Sequence, residues 1–330
     1  MMRLALVGLG MAVTPHAKSL LDLEDRAQVA YAYSPSPERR AKFAERFPFP
    51  QCDRLETILQ DRSVDAVLVL APPNTHLEIV SRCAAAGKHV LLEKPLEITT
   101  ARAEELVRNC AAVKLGVVLQ HRFRPAAEKL YDLLPALGKL VSASASIPNW
   151  RPQSYYDQPG RGTRAREGGG VLLTQGIHTL DLLVSFAGEA SEVKSFATTS
   201  PVHRMETEDL VSAAVRWKSG ALGVVHATTT AYPGFPERIE LIGTEGTALL
   251  EGASLNVQIQ NQPAIHFSTE AGGGGTGADP MAFPHDWHRG VLGNFLDAIE
   301  THREPRVSGA EALKVHRFID ALLRNPRSGD

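Results

Sequence analysis

Thr174, His178 and Asp181 step by four and three, which on a helix makes one polar stripe beside the apolar stripe of Leu173, Ile177, Leu180 and Val184. Histidine titrates near neutrality, so His178 is a candidate acid–base. Thr174 can hydrogen-bond a substrate or orient the imidazole, and Asp181 can fix the ring, cap or pack. The same stripe also suits a solvent-facing side. Lys94 lies just past a short apolar run, where an ammonium can hydrogen-bond an alcohol oxygen and stabilise negative charge developing on it. A lone lysine is more often a surface residue.

Gly8-Leu9-Gly10 follows the first apolar run, and Met11 and Ala12 lead into a helix pattern. Glycines there let the backbone approach a pyrophosphate seated on the helix N-terminus. Val13 stands where a third glycine is usual, and an ordinary strand-to-helix turn is the competing reading. After the run 29–33 the chain reads Ser34-Pro35-Ser36-Pro37-Glu38-Arg39-Arg40, with no carboxylate at the strand end to bind ribose hydroxyls. Ser34, Ser36 and Arg39 instead suit a 2′-phosphate, which favours NADP over NAD. Alternatively, the serines cap the next helix and the arginines lie solvated.

The loop 148–170 carries Arg151, Arg161, Arg164 and Arg166 against Asp157 and Glu167, accompanied by Trp150, Tyr155 and Tyr156. Aromatic faces stack on sugar rings and arginines clamp carboxylates or phosphates, so Tyr155 and Arg164 are candidate contacts to an acidic sugar or sugar conjugate. For any one arginine, a solvated loop or subunit contact is the simpler reading. His285-Asp286-Trp287-His288 gathers metal-ligating types, but neighbours on a helix point apart. That segment is read as a helix start lining a cleft or the core, and no metal is expected.

These residues need elements to position them. Apolar runs at 4–7, 29–33, 64–70, 90–92 and 117–119 alternate with helix patterns at 14–23, 37–47, 75–86 and 100–112, which predicts a doubly wound parallel α/β sheet. Gly87 marks a helix end. Beyond it come a helix over 125–136, an extended run over 140–147 and strand-like stretches at 192–199, 209–217, 221–229, 238–242 and 247–251. Lys218-Ser219-Gly220 reads as a hairpin turn, and the close spacing predicts a mainly antiparallel sheet in an α+β domain. A glycine loop at 272–275 and helices at about 285–301 and 309–324 follow, and 171–184 reads as one helix. The expected division is residues 1–121 and 122–330.

The 330-residue length fits two domains. Thirty-five basic residues against 37 acidic ones leave a net charge of -2, without the basic field that nucleic acid or a membrane surface would demand. Three cysteines, none in a Cys-x-x-Cys pair, point away from a disulfide scaffold and towards a reducing, cytoplasmic setting. No segment reads as a signal sequence or membrane span. Small molecules are the expected partners.

With these pieces placed, the chain resembles the glucose–fructose oxidoreductase, inositol dehydrogenase and rhizopine-catabolism (Gfo/Idh/MocA) family over nearly its whole length. The likeness rests on Val7-Gly8-Leu9-Gly10, Ala71-Pro72-Pro73-Asn74-Thr75-His76, the run from Ala86 to Glu93-Lys94-Pro95, Arg122-Phe123-Arg124-Pro125, and Gly168-Gly169-Gly170 through Gly176-Ile177-His178-Thr179-Leu180-Asp181. The resemblance implies a Rossmann domain followed by an open sheet that often pairs subunits as homodimers or homotetramers. It also implies nicotinamide-dependent oxidation or reduction of a sugar or polyol, without metal. By resemblance, Ala71, Pro72, Asn74, His76, Glu93, Lys94 and Arg122 join the cofactor pocket, together with His121. Glu93 either orients its segment or is structural, and Pro95 makes a rigid, possible cis turn. Lys94, Thr174 and His178 meet the substrate. Thr174 stands where the best-known members carry Asp, which puts a Lys–Asp–His mechanism in doubt. Two rivals remain: a glycosidase that retains its nicotinamide and works by transient oxidation, and a non-catalytic NAD(P)-binding sensor.

Overall fold

The computed structural model describes residues 1–269, 277 and 284–324, and the expected loop at 272–275 lies outside them. The chain forms two units: Met1–Gln120 with His285–Leu313, and His121–Pro284 with the segment from Lys314 onward.

The first unit holds a parallel sheet of β1 (Met2–Val7), β2 (Ala27–Tyr33), β3 (Gln51–Cys52), β4 (Ala66–Val69), β5 (His89–Glu93) and β6 (Leu115–Val118). Their order is β3-β2-β1-β4-β5-β6. The central strands are apolar without alternation because both faces are covered: Ala5, Leu6, Val67, Val69, Val90 and Leu92 are all buried. Helices Val13–Asp22, Pro37–Ala44, Leu55–Gln60, His76–Ala85 and Thr100–Asn109 make the crossovers. Gly87, at φ +72°, ends the fourth of these, and the Lys88 N–H reaches back to the Cys83 carbonyl.

The second unit is built on an eight-stranded sheet: β7 (Leu140–Pro148), β8 (Ala190–Thr198), β9 (Leu210–Trp217), β10 (Leu222–Thr228), β11 (Arg238–Gly243), β12 (Gly246–Glu251), β13 (Ser254–Ile259) and β14 (Ile265–Ser268). The order is β14-β13-β12-β11-β7-β10-β9-β8, antiparallel except where β7 pairs with β10. The expected turn at Lys218-Ser219-Gly220 joins β9 to β10, with Gly220 at φ +88°. Val211, Ala213, Val215 and Trp217 point inward while Ser212, Ala214 and Arg216 point out. Trp217 packs on Phe318 of the last helix, Gly309–Leu323, with ring centroids 5.4 Å apart. Among the described residues the opposite face is uncovered: Phe196 is 82% exposed, and Leu222 and Val224 on the same sheet are exposed too.

Three features differ from the expectation. First, residues 285–313 belong to the first unit, not the second. The helix Asp286–Glu300 buries Trp287, Val291, Leu292, Phe295 and Leu296. Phe295 fills the space over Gly116 of β6, where a Cβ would sit 2.9 Å from its ring. Arg26 adds ion pairs to Asp297 at 2.7 Å and Glu300 at 2.8 Å. An apolar stripe states that a helix is buried, not against which sheet. Second, 171–184 is not one helix but Val171–Thr174 and Ile177–Ala187, and the stretch Arg164–Thr174 meets Ile177–Ala187 at a bend of 54°. The break arises because the Gly176 N–H bonds the Val171 carbonyl at 2.7 Å, five residues back. Third, β3, β13 and β14 are extra strands; β3 is only two residues long and carries almost no pattern.

Candidate active site

In the first unit, strand order reverses between β1 and β4, and ligands bind such sheets beyond the carboxyl ends at that point. Gly8 sits there at φ +105°; a Cβ would lie 2.7 Å from the Leu70 carbonyl carbon and 2.9 Å from the Ala71 nitrogen. Only glycine fits. Leu9 turns into the core, Met11 is exposed, and the space beside Gly10 is open. Ala12 precedes the helix Val13–Asp22 without a side-chain cap, so that helix N-terminus keeps N–H groups for an anion. This cradle fits a dinucleotide pyrophosphate.

Ser34 is buried, 2% exposed, and its Oγ accepts the Ser36 N–H at 3.3 Å. Ser36 caps the helix Pro37–Ala44: its Oγ accepts the Arg39 N–H at 3.2 Å and donates to Glu38 at 2.6 Å. The capping alternative therefore describes Ser36, and Arg40 is drawn back to the Ser34 carbonyl at 2.6 Å. Arg39 is exposed, and its guanidinium makes no hydrogen bond among the described residues.

Ala71 and Pro72 follow β4, with Asn74 exposed in the short turn Pro73–Thr75. His76, expected at the cofactor, is instead fully buried. Its Nε2 lies 2.8 Å from the Ala71 carbonyl and its Nδ1 3.0 Å from the Pro95 carbonyl. It thus ties the loop after β4 to the loop after β5, and burial holds its pKa below the usual value. Glu93 closes β5, and the half-buried Lys94 follows with a cis bond to Pro95. Glu93 Oε1 is 2.7 Å from His16 Nε2, and Oε2 accepts the Lys94 backbone N–H at 3.0 Å. His285 and Asp286 are surface groups, whereas Trp287 and His288 are buried, as neighbouring helical positions should diverge.

In the second unit, the helix Ile177–Ala187 buries its polar residues along with its apolar ones: His178 is 8% exposed and Asp181 1%. The stripe is not a solvent face. His178 stacks on His121, ring centroids 4.6 Å apart and planes inclined by 28°. Asp181 accepts from Arg122 Nε at 2.7 Å and from its terminal nitrogen at 2.6 Å. The two residues expected separately at the imidazole and the cofactor thus form one buried fork. Thr174 lies before the bend, its Oγ 2.7 Å from the Gly170 carbonyl and in reach of Gln175 Oε1.

Most loop arginines are committed. Arg151 donates to the Trp150 carbonyl at 2.7 Å, Arg161 pairs with Glu167 at 2.6 Å, and Arg166 bonds the Pro159 carbonyl. Arg151 and Arg161 also lie over the Tyr155 ring, at 5.7 and 4.8 Å, and burial raises the Tyr155 pKa. Arg164 is exposed, and its guanidinium makes no hydrogen bond among the described residues.

A sequence model of the "Oxidoreductase family, NAD-binding Rossmann fold" matches residues 2–123, and one of the "GFO/IDH/MocA C-terminal domain" matches residues 135–249. Myo-inositol 2-dehydrogenase of Thermotoga maritima is 31% identical over 258 residues, 74% of each chain. The chain belongs to the Gfo/Idh/MocA oxidoreductase family.

Another Gfo/Idh/MocA relative, D-xylose 1-dehydrogenase (NADP(+)) 2 of Haloferax volcanii, is 27% identical and covers 83% of this chain and 82% of its own. The crystal structure of the WlbA dehydrogenase of Chromobacterium violaceum with NADH and UDP-GlcNAcA superposes with a TM-score of 0.84 at 25% identity, over 97% of this chain and 92% of that one. This Gfo/Idh/MocA protein is accordingly an NAD(P)-binding oxidoreductase with sugar and polyol dehydrogenases among its relatives.

Two groups escaped the sequence reading. His16 lies on the buried stripe Val13-Ala17-Leu20, and an isolated histidine among apolar helix positions was the available signal. Glu237, buried against Arg124, offered none, because its partner is 113 residues away.

Proposed function

We propose that the protein is an NADP-linked dehydrogenase or reductase acting on the hydroxyl or carbonyl carbon of a sugar, a polyol or an acidic sugar conjugate. The observation that carries this reading is Lys94, set just past the carboxyl end of β5 in a unit whose nucleotide turn only glycine can form. Backbone groups of Gly8, Leu9, Gly10, Met11 and Ala12 would hold the pyrophosphate, with Ala71, Pro72 and Asn74 along the same sheet edge. The uncommitted Arg39, near Ser34, supports a 2′-phosphate, as does the NADP(+) in the name of the xylose relative. When bound, the nicotinamide supplies or accepts the hydride. The Lys94 ammonium hydrogen-bonds the substrate oxygen and lowers the alcohol's pKa. His178 takes the hydroxyl proton in oxidation and returns it in reduction. Tyr155, Thr174 and Arg164 contact the sugar, and the uncommitted Arg164 favours an acidic one, as UDP-GlcNAcA is for WlbA.

The bare sheet face around Phe196 supports assembly as a homodimer or homotetramer. A cytoplasmic setting suits the buried thiols of Cys83 and Cys110, which burial pushes up to about 12. No single helix among the described residues is long and apolar enough to cross a membrane.

Titration with NADPH and then NADH, followed by nicotinamide fluorescence, tests the cofactor. Turnover is then measured at 340 nm on myo-inositol, D-xylose and UDP-GlcNAcA. Lys94→Ala is expected to lower turnover by about 10²-fold or more while leaving cofactor binding largely intact. Unchanged turnover in that variant removes the assigned mechanism. Aglycone release from glycosides without net cofactor change identifies the glycosidase, and tight binding with no turnover identifies the sensor.

A further inference from the structure

We propose that His16 is a positioning residue for Lys94, acting through the carboxylate of Glu93. This deepens the reading above and rests on Lys94 acting at the substrate.

Glu93 is the last residue of β5, and Val118 of β6 is its partner in the ladder. Lys94 is the first residue beyond that pairing. Its N–H is taken by the Glu93 side chain, at 3.0 Å. A glutamate has several rotatable bonds, so such a clamp holds only if something holds the carboxylate. His16 does so, Nε2 to Oε1 at 2.7 Å, from a site only 1% exposed. A carboxylate can only accept, so the ring proton is on Nε2. Behind the ring, His288 packs edge-on, centroids 4.8 Å apart and planes at 86°. Burial drives the His288 pKa down to about 3, which leaves it uncharged next to His16. Burial pushes the Glu93 carboxyl up, but the His16 hydrogen bond, with the Lys94 ammonium nearby, outweighs it, and the Glu93 pKa is held below its ordinary value.

The geometry has a further meaning. His16 sits one turn into the helix whose N-terminus faces the pyrophosphate site. Lys94 and the nucleotide turn are therefore both referenced to one rigid element. Catalytic groups held by locked supporting side chains keep the sub-ångström placement that hydride transfer requires.

His16, Glu93 and His288 also bring three metal-ligand types together, with donor atoms within 4.8 Å of one another. A tetrahedral zinc with bonds of about 2.1 Å would space its donors by roughly 3.4 Å. Here the His16–Glu93 pair is at hydrogen-bond distance, 2.7 Å, so a shared proton describes it better than a shared ion.

The test uses the full-length protein and the variants His16→Leu and His16→Gln, since a glutamine amide can present an N–H to the same carboxylate. In His16→Leu, hydrogen exchange at the Lys94 amide is expected to quicken at least tenfold. With NADP+ and the best substrate of the panel, kcat is expected to fall at least tenfold, with KM and the NADPH Kd within twofold. His16→Gln should restore most of both. If the two variants behave alike, or His16→Leu exchanges and turns over like the parent, the proposal is overturned. Should His16→Leu not fold, the imidazole nitrogen spectrum of the parent decides. A protonated Nε2 whose signal moves in Glu93→Gln supports the clamp, and a bare Nε2 or an unmoved signal overturns it. Stoichiometric zinc that chelators remove also overturns it. Lys94→Ala separates the two levels: if that variant keeps full turnover, the catalytic reading has failed. If it is inactive while His16→Leu is normal, only the role of His16 has failed.

Discussion

His121 lies face to face with His178, ring centroids 4.6 Å apart, and its Nε2 accepts from Arg124 at 2.5 Å. That bond leaves the His121 proton on Nδ1, which is 3.8 Å from Glu237. The ring against which His178 rests is therefore held in one tautomer and one orientation by the buried pair Arg124–Glu237. His178→Ala is expected to lower steady-state turnover by about 10²–10⁴-fold, the usual weight of a general acid–base. His121→Phe should keep most activity because it keeps the stacked face, and His121→Ala should lose roughly tenfold through a loosened His178. Equal activity of His121→Ala and the parent would show that the stack positions nothing.

The Arg122–Asp181 fork is almost fully buried, its side chains 6% and 1% exposed. Removing one partner strands a buried charge. Asp181→Leu is expected to cost about 3–5 kcal/mol in guanidinium unfolding, and Arg122→Met/Asp181→Leu together clearly less than the sum. A double variant as unstable as the sum would mean the two charges do not support each other.

Much of this arrangement was readable from residues alone. The unbroken apolar runs at Val67–Val69 and Val90–Leu92, alternating with helix patterns, read as strands covered on both faces, and Gly8 lay where a parallel sheet receives a phosphate. Other features lay beyond pattern. Leu173, Ile177, Leu180 and Val184 keep helical spacing across the bend at Gly176, because all four are buried, one before the bend and three after it. Periodicity reports burial and not continuity of the helix. Asp181 looked like a partner for the histidine three residues before it, but Arg122, 59 residues away, supplies the better geometry: a planar, bidentate fork. His76 carried a motif's promise of ligand contact and turned out to tie two loops together.

Arg39 offers a selective probe of the cofactor. With its guanidinium uncommitted, Arg39→Ala should leave the fold unchanged and weaken NADPH by about tenfold or more, the worth of one charge-assisted contact. NADH affinity should be unmoved. Equal losses for both nucleotides in fluorescence titrations would place the 2′-phosphate elsewhere.

His288 and His316 are buried, and burial is the first cause lowering their pKa values, to about 3 and about 4. In the unfolded chain each titrates near 6.5, so between that pH and the folded value the unfolded state binds more protons. Stability from these groups is complete above about pH 6.5 and declines as the pH falls, by roughly 1.4 kcal/mol per pH unit for each. Urea midpoints measured from pH 8 to 4 should be flat and then drop. His316→Leu should make the drop shallower, and an unaltered slope would remove His316 from the account.

The place of residues 285–313 has a consequence for how the chain is made. A ribosome delivers β6 and its Gly116 some 180 residues before Phe295, the side chain that covers it. Until that late segment emerges, the first unit has all six strands but an open apolar seam along β5 and β6. Closure of the nucleotide-binding unit therefore follows synthesis of the second unit's sheet, and its seam must wait until then. A fragment ending at residue 120 should therefore bind the hydrophobic dye ANS and aggregate, and the peptide 284–324 added in trans should suppress both.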